Sequence, residues 1–255
     1  MTRVAALTEI MMFLFVSFAA LPLWAANQSG AAIPGREPRA AHTTAQAKSG
    51  EDGARGAGHE LSELDRNLRE AASLGDAQRV KALLQKGAGP NSVDKDGITP
   101  LMIAVVGDIE RVRGIAVKGI AESWQKGLPK VIKAMKGDAA TALALIQGGA
   151  AVNAATSRGI KALDLAALGG NPALVTLLLD RGADANLRAK RGETTLMVAS
   201  AAGHDSIVKL LLARGADPLA QSQDGITAAA VAMLAGNMEI VKILTKATTP
   251  KGSTF

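Results

Sequence analysis

Apolar residues recur along this chain with two periods at once, one of three to four residues and one near 33. From Glu60 onward a glycine returns at positions 75, 107, 137, 170, 203 and 236, at spacings of 32, 30, 33, 33 and 33. Five, eight and nine residues after each glycine stand mostly apolar side chains. They are Val80, Leu83 and Leu84; Val112, Ile115 and Ala116; Ala142, Leu145 and Ile146; Val175, Leu178 and Leu179; Val208, Leu211 and Leu212; then Val241 and Leu244. Side chains at i, i+3 and i+4 share one face of a helix, so each copy predicts an amphipathic helix with a single stripe to bury. Another glycine follows twelve residues after each of the first five (Gly87, Gly119, Gly149, Gly182, Gly215), suited to a left-handed helix end. Ahead of each first glycine runs a shorter segment with small residues, such as Ala71-Ala72, Ala166-Ala167 and Ala199-Ser200, which predicts a second, closely packed antiparallel helix. One such pair cannot bury its own apolar faces, and a fixed period of this length signals stacked units.

Local motifs sharpen the picture. Asp94, Gly97, Thr99, Pro100 and Leu101 stand at the spacing of a D-x-x-G-x-T-P-L turn, Asn91, Asn153 and Asn186 follow their Gly-Ala pairs, and Gly203-His204 closes a short helix. On these residues the stretch from about 60 to 249 resembles the ankyrin-repeat family. The resemblance implies an all-α solenoid of about six helix-turn-helix units joined by short β-hairpin fingers. It also implies that His204 caps and bridges neighbouring helices. Departures are visible as well. The connection from Gly119 to Gly127 is three residues short, which predicts a truncated finger, and Gly114 weakens the helix before it. Lys161-Ala162 replaces Thr-Pro, and the motif histidine is replaced by Met102, Asp164, Met197 and Ala230.

Outside the repeats the pattern changes. Arg3, the apolar stretch from Ile10 to Leu23 and small residues at Ala25-Ala26 have the layout of a secretory signal, so residues 1–26 are expected to be a signal peptide cut after Ala25 or Ala26. The alternative is an uncleaved membrane anchor carrying an ankyrin scaffold. Residues 27–59 are rich in Gly, Ala, Ser and Pro, with Ile33 their lone large aliphatic before Gly58, and read as a flexible linker. Residues 250–255 read as a disordered tail. The expected location is periplasmic or secreted.

Composition narrows the chemistry. Aromatic residues make up 2% of the chain and cysteine is absent, which excludes disulfides, thiolate metal sites and cysteine nucleophiles. Of three histidines, His42 and His59 lie in or beside the linker, and no metal-protease, phosphate-loop or serine-elbow motif is present. Asp164 and Glu193 read as capping or solvated acids, and Met197 and Met233 as packing residues. The expectation is a non-enzymatic protein without cofactor, metal or small-molecule substrate. A net charge of +6 could suit nucleic acid, but the repeats offer only Trp124 for stacking, so a protein partner is favoured. Trp124 itself reads either as a gap filler or as a binding anchor.

In the resembled family, partners dock on finger tips and the exposed side of the first helix. Carried onto this sequence, the partner-binding positions are Lys95, Asp96 and Ile98; Ser157, Arg158 and Ile160; Arg188, Lys190, Arg191 and Glu193; and Gln223, Asp224 and Ile226. The adjacent helix positions, Val106, Leu168, Ala201, Ala202, Leu234 and Ala235, predict an apolar floor beside a basic rim, an arrangement suited to a protein partner. That partner is expected to be exported and the chain monomeric.

Overall fold

The computed structural model describes residues 61–118, 135 and 137–249. The expected signal peptide, linker and tail, the 119–127 connection, Trp124, His42 and His59 lie outside these residues. Among these residues eleven helices follow in chain order: α1 Glu63–Leu74, α2 Ala77–Gln85, α3 Pro100–Val106, α4 Ile109–Lys118, α5 Ala139–Gln147, α6 Ala162–Gly169, α7 Pro172–Asp180, α8 Thr195–Ala202, α9 Asp205–Ala213, α10 Ala228–Leu234 and α11 Met238–Thr248. None among the described residues is long and apolar enough to cross a membrane.

Helix packing sorts them into two rows. The inner row runs α1, α3, α6, α8, α10, and the outer row α2, α5, α7, α9, α11, each helix against its neighbours in the row and its antiparallel mate. The stripe positions named above fill the seam: Val80, Leu83, Ala142, Leu145, Val175, Leu178, Val208, Leu211 and Leu244 are all buried. The glycine-alanine pairs close the outer helices as expected. Gly87, Gly149, Gly182 and Gly215 take left-handed backbone, and the following Ala88, Ala150, Ala183 and Ala216 donate their N–H back to Leu83, Leu145, Leu178 and Leu211. The all-α repeat solenoid is therefore the observed architecture.

The number of units differs from the sequence expectation. Among the described residues five helix pairs stack, and the eleventh helix, α4, belongs to none of them. In four pairs the residue capping the outer helix donates its N–H five positions back, as Asp76 does to Ala71, Asn171 to Ala166, His204 to Ala199 and Asn237 to Ala232. In the second pair the same bond runs from Asp138 to Ala104, 3.0 Å and 34 positions apart. The chain leaves that repeat after α3 and rejoins it at α5. Gly137 is required at the return, because a Cβ there would stand 1.8 Å from the carbonyl oxygen of Val105. The Gly107–Gly137 interval thus spans an insertion whose length imitates the repeat period. Val112 and Ile115 are buried as their spacing predicts, but on a helix packed against α3 instead of in the outer row.

Fingers between the pairs are tight turns with little strand character, reduced to isolated antiparallel bridges at Ala155–Lys161 and Gln221–Thr227. Their cohesion comes from stacking. Asp96, Arg158 and Arg191 offer their carbonyls to the N–H groups of Ser157, Lys190 and Gln223 in the next finger, at 3.4, 3.0 and 2.8 Å. Gly97, Gly159 and Gly192 hold positive φ and also make room, since a Cβ on Gly159 would lie 2.9 Å from Ala189 Cα. Below the fingers, Asn91, Asn153 and Asn186 each clamp the next loop twice, donating to Gly149, Gly182 and Gly215 and accepting from Ala151, Asp184 and Asp217.

Candidate docking face

The inner helices α3, α6 and α8 have a neighbour on either side and an outer mate behind, which leaves one side open, while α1 and α10 have one described neighbour in the row. Thr99, Thr194 and Thr227 start three of these helices, each side chain accepting the N–H three residues on. In α6 that place is held by Lys161, whose side chain has no acceptor to offer. There Asp164, in the first turn, reaches back to accept the Lys161 N–H at 3.0 Å and the ammonium at 2.9 Å. Its other oxygen accepts the Thr195 hydroxyl of the next repeat, and Lys161 Nζ also donates to Gly159 O at 3.2 Å. All three side chains are buried. Asp164 thus caps, as expected, but it is neither solvated nor isolated.

His204 bridges repeats through Nε2 on the carbonyl of Leu168, 3.1 Å away, with its ring over Gly170. It stands at the N-cap of α9 but makes no side-chain cap bond. Met197 packs in the core as expected. Met233 does not: it is 59% exposed, because no inner helix follows α10 among the described residues.

The finger residues divide by environment. Lys95, Ser157, Arg158, Arg188, Lys190, Arg191, Gln223 and Asp224 are exposed, Asp96, Glu193 and Ile226 are half-buried, and Ile98 and Ile160 are buried. The last two are corrected from surface contacts to core residues: they anchor the foot of each finger beneath the following helix. Arg191 pairs with Asp224 at 3.1 Å and its N–H reaches Glu193, while Arg188 donates to Gln221 O at 2.6 Å and Gln223 to Lys190 O at 2.9 Å. Among the described residues Arg158 and Lys190 have no ion partner, so the middle of the finger row presents uncompensated positive charge.

The apolar floor needs a second correction. Val106 and Leu168 are fully buried. Ala201 and Ala202 are half-buried, and Leu234 and Ala235 are exposed, so the accessible floor belongs to α8 and α10. Over α3 the open side is occupied by α4. Arg113 of that helix faces Asp94 and Asp96 of the first finger at 3.6 Å each, and Arg69 of α1 pairs with Asp94 at 2.8 Å while donating to Ile98 O. Burial pushes Arg69 below the usual guanidinium range, with Asp94 pulling it back and Arg113 adding to the depression. Between α1 and α4 lies a cleft of about 330 Å³ lined by Leu61, Arg66, Arg69, Glu70, Leu74 and Arg113, among others. Sequence reasoning missed this cluster because it took α4 for an outer helix; the shortened Gly119–Gly127 connection was the available signal.

No three His, Asp or Glu side chains among the described residues gather in a way that could hold a metal ion. Residues 131–222 and 196–254 match a family model described as ankyrin repeats (3 copies). These stretches run from just before α5 through α11. The pairing of α1 with α2 extends the same architecture beyond them. No curated protein matches the chain.

Proposed function

We propose that the chain is an ankyrin-repeat protein, of a family whose repeats generally mediate protein–protein interaction, and that it is a non-enzymatic module that captures one exported protein. In this reading the second and third fingers and the open side of α8 and α10 form the contact. The observation that carries it is the juxtaposition of uncompensated Arg158 and Lys190 with the accessible apolar floor at Ala201, Ala202 and Leu234. Charge at the rim steers and orients a partner, while apolar area at the centre holds it. Arg3 and the apolar run from Ile10 to Leu23 support an exported setting, where such a module would protect, chaperone or neutralise a periplasmic protein.

The test is affinity capture from the periplasm of the native host, with the R158E/K190E double variant as comparison. Both substitutions are on exposed finger tips, so the fold is expected to survive and the captured protein to be lost. Retention of the same protein by the variant would remove the finger row from the interface.

A further inference from the structure

Resting on the protein-binding reading above, a more specific question is what the partner presents to this surface. The chain supplies its own example of how the open side is filled. α4 lies against α3 with Val112 and Ile115 buried, and Val105 and Val106 of α3 are buried as well. Next to Val112 on the same helix, Arg113 turns to the acidic first finger, at Asp94 and Asp96. The occupant is thus a ten-residue helix, apolar toward the inner row and charged toward the fingers, opposite to them in sign.

The apolar character of the open side continues along the stack. The position equivalent to Val106 is held by Leu168 in α6, Ala201 in α8 and Leu234 in α10, and that of Val105 by Ala167, Ser200 and Met233. Cover decreases along this series, from full burial at Val106 and Leu168 to 49% exposure at Leu234 and 59% at Met233. Finger charge reverses along the same direction: the position held by Asp96 becomes Arg158 and then Arg191, and Lys190 adds a further cation. In the last finger Asp224 restores an acid, and it is matched to Arg191.

We infer that the open side of α8 and α10 is the docking site for an amphipathic helix of the partner, apolar on one face and acidic along the edge that meets Arg158 and Lys190. The intramolecular seat of α4 on α3 gives the docking mode, and the reversed finger charge gives the sign. A helix of about ten residues is roughly 15 Å long, the length of α4 itself.

The probe is a stapled peptide of residues 109–118 carrying R111E and R113E, compared with the unmodified sequence by fluorescence anisotropy on the full protein. The acidic peptide is expected to bind, more weakly as salt rises, and the parent basic peptide about tenfold more weakly. R158E/K190E is expected to reverse that order, and Leu234→Glu to abolish both, with circular dichroism showing each variant folded. Equal binding of the two peptides, or indifference to R158E/K190E, overturns the inference. So does concentration-dependent dimerisation relieved by Leu234→Glu, because a second copy would then be the occupant. If the periplasmic protein is captured but the acidic peptide neither binds nor competes, the binding function stands and this docking mode falls. If neither ligand is retained, both fall.

Discussion

Asp164 shows how much a single side chain can carry in this stack. It closes the start of α6, neutralises the buried ammonium of Lys161 and accepts the hydroxyl of Thr195 across a repeat boundary. Replacing it with leucine leaves Lys161 with the Gly159 carbonyl alone, and an unpaired buried charge costs about 3–5 kcal/mol. Removing both charges together, as K161M/D164L, is expected to recover most of that loss, since packed apolar pairs often match buried ion pairs. Urea titration of the single and double variants measures the difference; a D164L loss below about 1 kcal/mol would show the pair to be dispensable. The departure was visible in the sequence as Lys161-Ala162 in place of Thr-Pro. The partnership was not, because neither residue's spacing says that Thr195, 31 positions away, turns into the same pocket.

At the scale of elements, the outer helices and their glycine ends were legible because helix burial follows a three-to-four residue spacing that needs no partner to be recognised. The fingers were legible in position but less so in exposure: Ile98 and Ile160 occupy tip motifs and yet point inward under the next helix. Crowding between fingers gives a clean test. Gly159 and Gly225 share positive φ, 80° and 73°, so an alanine at either pays the same backbone strain. A Cβ at 159 also meets the backbone of Ala189 and Lys190, whereas at 225 it meets nothing within 4 Å. Gly159→Ala is therefore expected to destabilise by about 1–3 kcal/mol more than Gly225→Ala in the same denaturant titration. Equal losses would mean that the fingers yield without cost.

For the whole repeat stack, contacts link each pair only to its neighbours, so damage should spread according to position. Leu178→Ala in α7 removes a fully buried side chain from the middle pair and is expected to cost about 2–5 kcal/mol. Leu244→Ala, equally buried in α11, is expected to speed hydrogen exchange in α10 and α11 while α1 to α3 stay protected. Uniform acceleration from both substitutions would instead make the stack one cooperative block. Sequence period established stacking but overcounted the units, because an insertion nearly as long as a repeat is indistinguishable from one by spacing alone. It also hid the open side, since whether Val106 meets solvent depends on α4, a helix the pattern had assigned elsewhere. Leu219, at the place where the earlier repeats keep a clamping asparagine, is 64% exposed, and the last described unit has no further described neighbour to hold.

The detour between Ala104 and Asp138 has a consequence in chain entropy. Closing a connection of 34 positions in place of five costs about 1.7 kcal/mol more by the logarithmic law for flexible loops, and doubling it again would add only about 0.6 kcal/mol. The pair α3–α5 can therefore host segments of very different length with little penalty, so long as Gly137 returns the chain to the Ala104 carbonyl. The asparagine clamp accommodates the detour: Asn91 holds Gly149 and Ala151 across 58 and 60 positions, where Asn153 holds Gly182 and Asp184 across 29 and 31. Variation in this architecture thus has a natural address, at the end of an inner helix on the side away from the fingers.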